Sequence, residues 1–178
     1  SGFPCSSPPM RPREAEAVPI DYPAILEARS GGATRRWDSR ETLLYALAVG
    51  MGSDPLDPSQ LPFVYEKDQR VVPTFAAVLA RGLGVSVEQM GIDYRRAMHG
   101  EQAIVWHRPL APQGAVTGEG RIVAVYDKGD KGAVVVGEIA FRDPDDGQPV
   151  ATVTVTTFAR GDGHCGAPMG GAPAPHRM

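Results

Sequence analysis

Residues 120–141, GRIVAVYDKGDKGAVVVGEIAF, decide the fold class of this chain. Two runs rich in β-branched residues flank a short turn that holds Gly129 and Gly132, which is the pattern of a β-hairpin. We therefore predict two neighbouring antiparallel strands, with the hairpin closed at Gly129 or Gly132.

Two further apolar runs lie before and after this hairpin. Residues 102–110, QAIVWHRPL, and residues 150–160, VATVTVTTFAR, are bounded by the turn-forming segments APQGA and RDPDDGQP. In the later run threonines alternate with valines, so one face of that strand is polar and the other is largely apolar. The second half of the chain is thus predicted to form four strands of an antiparallel sheet.

The first half of the chain carries helical patterns instead. In residues 37–52, WDSRETLLYALAVGMG, Asp38 and Glu41 have the spacing of a capping box, and Gly50 can end the helix. The apolar stripe of this helix is predicted to consist of Leu43, Leu44, Leu47 and Ala48.

A second helix is expected in residues 73–84, PTFAAVLARGLG. Pro73 suits the first helical position, and glycines at positions 82 and 84 should cut the helix short. Its inward-facing side chains are predicted to be Phe75, Val78 and Leu79.

Helices followed by an antiparallel sheet indicate an α+β protein, and the layout suits a hot-dog fold, in which a curled sheet packs around a helix. Periodicity alone does not separate this fold from other α+β sandwiches. We expect a folded domain at residues 20–160, between a flexible N-terminal extension at 1–19 and a flexible Gly/Pro-rich linker or tail at 161–178. The extension could derive from cloning, with Met10 as the natural start.

Composition argues against several classes of function. The formal net charge of -3 does not provide the basic surface that nucleic acid or an anionic membrane needs. The longest apolar runs fall short of the roughly 20 residues that span a bilayer. Cys5 and Cys165 lie far apart, without the spacing of a zinc site. We therefore expect a reduced, cytoplasmic protein that binds neither nucleic acid, membrane nor metal.

The segment HGEQ, residues 99–102, is the first candidate site. In a regular strand His99 and Glu101 share one face, whereas Gly100 and Gln102 share the other. A histidine beside a carboxylate could perform acid–base catalysis, and the same pair could merely satisfy each other at the end of a strand. His99 and Glu101 are therefore weak catalytic candidates.

Two other places carry candidate ligand-binding residues. Lys128, Gly129 and Lys131 in the turn DKGDKG could hold phosphate, although a solvated hairpin tip has the same composition. Glu66, after the apolar stretch LPFVY, is expected to be half-buried and either structural or in contact with a ligand. The sequence contains no recognisable nucleophile triad.

Several segments resemble one known family when they are taken together and in order. They are YALAVG, PTF, HGEQ, PLAPQG and DKG, within residues 36–166. This combination resembles the N-terminal half of the MaoC-like, type 2 (R)-specific enoyl-CoA hydratases, which also occur as a domain of peroxisomal multifunctional enzymes.

The resemblance implies two hot-dog domains, of which the first holds the acyl tail and has a shortened helix. The family reaction adds water to trans-2-enoyl-CoA and gives (R)-3-hydroxyacyl-CoA, with coenzyme A as part of the substrate and no separate cofactor. The catalytic Asp and His belong to a D-x-N-P-x-H-x-D type motif in the second half, and this chain lacks that motif.

For this chain the resemblance implies a substrate-binding half that is inactive alone. His99, Gly100 and Gln102 would lie near the thioester or pantetheine, and Lys128, Gly129 and Lys131 near the CoA phosphates; Glu66 is a marked position of unassigned role. The expected partner is a catalytic hot-dog half or a second copy in a homodimer. The alternative is a non-catalytic hot-dog protein that binds acyl chains or serves as an assembly scaffold.

Overall fold

Residues 20–170, the part of the chain that the structure describes, are organised by one antiparallel sheet. In this computed structural model the strands lie in the order β1-β3-β4-β5-β2. Their bounds are β1 Ala33–Trp37, β2 Ala97–Trp106, β3 Gly114–Asp127, β4 Ala133–Arg142 and β5 Pro149–Ala159.

The four predicted strands are confirmed as β2 to β5, and the β3–β4 hairpin closes through Lys128–Gly132. The first strand was not predicted. Its residues Thr34, Arg35 and Arg36 are exposed, so that β1 has no apolar alternation for a sequence pattern to detect. It pairs with β3 at one edge of the sheet, and β2 lies at the other edge.

Short helices and turns fill the connections. The α-helices are α1 Ser39–Ala48, α2 Leu61–Val64, α3 Ala76–Leu79 and α4 Val87–Met90, and the 3-10 turns are Ala24–Glu27, Pro73–Phe75, Tyr94–Arg96 and Gly129–Lys131. None of the helices within residues 20–170 is long and apolar enough to cross a bilayer.

The predicted capping box of α1 is confirmed. The N–H of Glu41 donates to Asp38 Oδ1 at 2.9 Å, and the N–H of Asp38 donates to Glu41 Oε2 at 3.1 Å. These two bonds satisfy backbone donors that the first turn of a helix leaves unpaired.

The predicted apolar stripe does not form the buried face of α1. The buried residues are Thr42 and Ala46, whereas Leu44 and Leu47 are each 56% exposed. Tertiary contacts of Thr42 accompany this orientation, because its Oγ1 accepts from Gln69 Nε2 at 2.8 Å and lies 3.2 Å from the carbonyl oxygen of Pro112. Tertiary contacts therefore override the apolar pattern of the helix.

The second predicted helix is short, as expected. A 3-10 turn at Pro73–Phe75 leads into α3, which lasts four residues. Phe75 and Leu79 are buried in the core and Val78 packs beside them. The chain then turns, with Gly82 in the left-handed region at φ 79°.

This turn lies directly against the sheet because β3 carries glycines there. A Cβ at Gly118 would stand 2.7 Å from Leu83 Cδ1, and a Cβ at Gly120 would stand 2.7 Å from Gly84 Cα. Such distances are too short for any side chain, so the two glycines are required for the close contact.

The buried side chains form two groups, and the short helix α3 belongs to the first of them. One surrounds Phe75, Leu79 and Phe141. The other surrounds Ile122 and Val125 and includes residues of the first described turn. An apolar cavity lies between these two groups.

The packed chain continues past Arg160, where a flexible tail was expected to begin. The segment Gly161–Gly170 lies on the β3–β4 hairpin, with Ala167 buried and Met169 in a bridge to Asp127. A Cβ at Gly163 would overlap the carbonyl oxygen of Gly129, so the two backbones touch. The expected flexible extension at 1–19 and the remainder of the tail, 171–178, lie outside the described residues.

Candidate functional site

A cavity of about 400 Å³ lies under the inner face of the sheet, beyond the point where α3 ends. Its roof is the segment 80–90, and its floor is formed by β3, β4 and β5. The apolar residues that line it are Ala80, Val85, Val87, Met90, Ile122, Val135, Ile139 and Val155. Ala80, the residue after α3, is part of this lining, so the cavity begins where the short helix ends.

The register of the sheet extends this cavity to the edge strand. Val155 pairs with Gln102 and Thr157 pairs with His99. Side chains directly opposite each other in an antiparallel pair lie on the same face. Because Val155 and Thr157 line the cavity, His99 and Gln102 lie beside its rim.

A bulge at Gly100 corrects the predicted arrangement of the HGEQ segment. His99 pairs with Thr157 and Glu101 pairs with Thr156, the very next position of β5. Gly100 has no partner of its own and is the additional residue of the bulge. Glu101 therefore lies on the face opposite His99, and Gln102 lies on the face of His99. The predicted shared face of His99 and Glu101 is wrong, because the pattern assumed a regular strand.

The bulge separates His99 from the carboxylate of Glu101. His99 is exposed, and within residues 20–170 no carboxylate hydrogen-bonds its imidazole or pairs with it. A histidine that acts as general base is commonly oriented by a hydrogen bond to a neighbouring group. The geometry thus favours ligand contact by His99 and Gln102 over acid–base catalysis by His99 and Glu101.

Three cationic side chains lie at the end of the sheet near His99, beside the carboxylates of Asp130 and Asp162. Arg96 immediately precedes β2, and its carbonyl accepts from the N–H of Arg160 at 3.2 Å. The hairpin tip with Lys131 lies against Arg160, since a Cβ at Gly132 would stand 2.7 Å from Arg160 Cα. All three cations are exposed. Arg96 and Arg160 were not predicted from the sequence, because only the fold brings them to the hairpin.

Lys128 and Gly129 have different surroundings from Lys131. The ammonium group of Lys128 donates to the carbonyl of Gly170, and the N–H of Gly129 donates to Asp127 Oδ1 at 2.7 Å. The bond of Lys128 therefore ties the hairpin to the segment after β5, whereas the bond of Gly129 stays within the hairpin. Lys131 is the candidate cation whose ammonium group has no such bond among the described residues.

Asp127 joins the hairpin to the segment after β5. Its carboxylate accepts from the backbone N–H groups of Gly129, His164 and Gly166 at 2.7, 3.0 and 3.3 Å. The hydrogen bond from Gly129, with smaller contributions from the other two, holds the pKa of Asp127 below its usual range.

His164 forms an exposed ion pair with Asp130 at the same hairpin. Its Nε2 lies 2.8 Å from Asp130 Oδ1. This hydrogen bond and the negative charge of Asp130 raise the pKa of His164. Within residues 20–170, no cluster of three or more His, Cys, Asp or Glu side chains could hold a metal ion.

Glu66 follows α2 and is exposed rather than half-buried. Within residues 20–170 its carboxylate takes part in no hydrogen bond or salt bridge, so packing of the described residues gives it no structural role. Its prediction as a ligand contact stays a prediction.

A second cavity of about 560 Å³ lies at the opposite end of the sheet, beside Trp37. Its lining includes Arg36, Arg108 and Asp143, and Arg108 is paired with Asp143 at 2.5 Å. The cavity beneath Val155 also has charged residues in its lining, namely Glu88 and the ion pair of Arg121 with Glu138. Apolar side chains form most of the rest of that lining, so it suits an apolar ligand better than the cavity beside Trp37 does.

The sequence profile of the MFE-2 hydratase 2 N-terminal domain matches residues 36–161. Enoyl-CoA hydratase ChsH3 of Mycobacterium tuberculosis is 32% identical over 168 residues, which are 90% of this chain and 58% of that protein. The chain spans about half the length of the first curated relatives it matches.

Solved structures agree with the sequence match. A MaoC-like dehydratase from Phytophthora capsici superimposes with a TM-score of 0.67 at 27% identity, over 86% of this chain and 54% of that one. The ChsH1-ChsH2 complex of M. tuberculosis shares the fold at 14% identity, with a TM-score of 0.55 over 83% of this chain and 93% of that one. These likenesses bear out the hot-dog fold that the sequence predicted.

Proposed function

Because the chain belongs to the MFE-2 hydratase 2 N-terminal domain family, we propose that it is the acyl-CoA-binding half of an (R)-specific 2-enoyl-CoA hydratase. The overall reaction adds water across the double bond of a trans-2-enoyl-CoA: hydroxyl bonds to C3, and a proton to C2. The product is the (R)-3-hydroxyacyl-CoA, and the reverse reaction is dehydration.

The apolar cavity beneath Gln102, Val155 and Ile122 is the observation that carries this proposal. An acyl tail needs an apolar space that excludes water, and burying its methylenes there is favourable in proportion to the area removed from water. His99 and Gln102 at the rim can contact the polar thioester and pantetheine, where the apolar tail ends.

The cations at the end of the sheet support a CoA ester over a free fatty acid. Lys131, Arg96 and Arg160 are exposed close to the start of β2, and guanidinium and ammonium groups are suited to phosphate. We assign them to the phosphate groups of coenzyme A.

The acid and base of the reaction are proposed to come from a second hot-dog half, either in the same polypeptide or in a partner chain. This assignment fits a rim at which His99 has no carboxylate partner among residues 20–170. Among the described strands, β2 has one edge without a partner strand, and such an edge can pair with another sheet. A catalytic half seated there would face the rim residues His99 and Gln102.

The first experiment follows hydration of crotonyl-CoA and of trans-2-hexadecenoyl-CoA by loss of enoyl-thioester absorbance, together with titration calorimetry of each thioester. We expect binding without turnover. Robust turnover by the chain alone would place the acid and base within it and overturn the division of labour.

A matched pair of variants tests the rim. His99→Ala is expected to weaken thioester binding, whereas Glu101→Ala, two residues away on the opposite face, leaves it unchanged. Equal effects of both substitutions on thioester binding would contradict the assignment of the rim.

The alternative is a non-catalytic protein that binds acyl chains or serves as an assembly scaffold. It is favoured by the bond of Lys128 to the chain's own Gly170, which takes that cation away from a ligand. Comparison of palmitate with palmitoyl-CoA distinguishes the two. Preference for palmitoyl-CoA that disappears in Lys131→Ala/Arg160→Ala supports the hydratase half, and equal affinity for both ligands supports the alternative.

A further inference from the structure

Gly137 is a glycine that neither backbone conformation nor close packing explains. It lies in the middle of β4, between the buried residues Val135 and Ile139 on the same face. Its φ is not in the left-handed region, and a Cβ there would find no atom nearer than the carbonyl oxygen of Arg121 at 3.7 Å. Glycine weakens a strand interior, so the position has a cost without a local structural benefit.

Two glycines of β3 and one in the β3–β4 turn show the contrast. A Cβ at Gly118 or Gly120 would meet atoms at 2.7 Å, and a Cβ at Gly132 would meet one at 2.2 Å. Those positions exclude a side chain because other parts of the chain occupy the space. At Gly137 a Cβ would make only ordinary contacts, with Ile122 Cδ1 at 3.8 Å, and the position lines the cavity of about 400 Å³.

Gly137 also has a defined place along the cavity. It pairs with Val155, which pairs in turn with Gln102, while Ile122 pairs with Gly137 on the other side. These four residues form a straight row across four strands on the inner face of the sheet. Gly137 lies two strand spacings, or about 10 Å, from the rim at Gln102.

We propose that Gly137 determines the length of the acyl chain that the site accepts. This inference rests on the proposed function and deepens it. The missing side chain leaves a passage between the part of the cavity near Val155 and the part beneath Ile122 and Met90. Long-chain enoyl-CoA thioesters pass over Gly137 into the deeper part, whereas a crotonyl group ends before reaching it.

The test substitutes Gly137→Ile, since a β-branched residue suits a strand and its side chain fills the passage. Binding of crotonyl-CoA and trans-2-hexadecenoyl-CoA is measured by calorimetry on the full chain. We expect affinity for the long thioester to fall by about tenfold or more, as added carbons in an apolar pocket commonly produce, while affinity for crotonyl-CoA is retained.

Ala140→Ile is the matched control, because it adds similar volume to the same strand on the opposite face. It should leave both affinities unchanged. Gly137→Ala adds one methyl group into free space and is expected to fold even if the isoleucine variant does not. It should lower affinity for the long thioester by a smaller factor.

The outcomes separate the two proposals. If Gly137→Ile, or Gly137→Ala where only that variant folds, binds the long thioester as the wild type does, the length assignment is overturned and the proposed function stands. If both thioesters weaken equally, Gly137 acts on the site as a whole, and the length assignment is again overturned. A wild-type chain that binds neither thioester overturns both.

Discussion

Asp127 is the residue whose protonation state has the clearest structural meaning. It is 5% exposed, and its three hydrogen-bond donors are backbone N–H groups on two separate segments. Because these bonds favour the ionised carboxylate, its pKa is lowered in the folded protein. These bonds stabilise the folded state fully when the pH is above the pKa of about 3.9 that aspartate has in an unfolded chain. The stabilisation is lost as the pH falls through the lower pKa of the folded protein.

We predict that Asp127→Asn lowers the thermal unfolding temperature at pH 7. In asparagine only Oδ1 accepts hydrogen bonds, because the amide nitrogen is itself a donor. The backbone N–H of Gly166, which donates to the second oxygen of Asp127, would therefore lose its partner. Thermal unfolding followed by circular dichroism at pH 7 and in acid measures the effect. The gap between wild type and variant should narrow in acid, and a gap that is constant with pH would contradict the role of ionised Asp127.

His164 gives a second prediction for a single residue. Asp130→Asn removes the partner that raises the pKa of His164, so this pKa should move down toward the usual value of about 6.5. Proton NMR titration of the imidazole measures it, with His107 as the internal reference. The ion pair stabilises the folded state when the pH is below the pKa that histidine has in an unfolded chain. This stabilisation is lost as the pH rises through the higher pKa of His164 in the folded protein. Both partners are exposed, so the effect on stability should be small.

Between elements, the distance from the 80–84 turn to the sheet depends on glycines in β3. We predict that Gly120→Ala destabilises the fold by about 1–3 kcal/mol, since the new methyl group collides with backbone and overpacking has costs of this order. Gly137→Ala is the control, because its Cβ has free space. Urea unfolding of both variants checks the prediction, and equal loss of stability in both would contradict the packing described at Gly120.

The elements differ in how far sequence could predict them. The start of α1 was predictable because Asp38 and Glu41 satisfy each other's backbone groups within four residues. The buried face of α1 was not, because Pro112 and Gln69 orient Thr42 from distant parts of the chain. The same holds for the faces of β2: alternation assumes a regular strand, and the bulge at Gly100 depends on pairing with β5.

The candidate site shows the same division. The residues HGEQ and DKG were recognised from the sequence, and the short helix was expected. Gly137 lay within a predicted strand, and a glycine inside an apolar strand pattern was the available signal. Arg96 and Arg160 gave no local signal, because 64 positions separate them in the chain and the pairing of β2 with β5 brings them together.

At the scale of the molecule, about half of the large exposed apolar side chains among residues 20–170 lie in one part of the chain. The large exposed residues of α1, α2 and their connection are Leu44, Leu47, Val49, Leu56, Leu61 and Tyr65. Contiguous apolar patches on a protein surface are commonly contact sites. Because six such residues lie within 22 consecutive positions, we expect this part of the surface to be covered by another protein surface.

We therefore predict that the chain self-associates with increasing concentration, as two copies bury this region against each other. Leu44→Glu/Leu47→Glu should shift the equilibrium toward monomer, because burial of the introduced charges is unfavourable. Sedimentation velocity over a concentration series measures the shift. Val123→Glu, an exposed apolar position outside the region, is the control. A wild-type chain that stays monomeric throughout the series would rule out the predicted contact.

The bulge at Gly100 also bears on how this strand can vary in length. Losing one residue from a strand normally moves every following side chain to the other face. Here Gly100 is the additional residue, so its deletion would leave His99 opposite Thr157 and Glu101 opposite Thr156 in an uninterrupted ladder. At position 100 a single residue can therefore be removed, or added back, while Gln102 and the residues after it keep the faces of the strand on which they now lie.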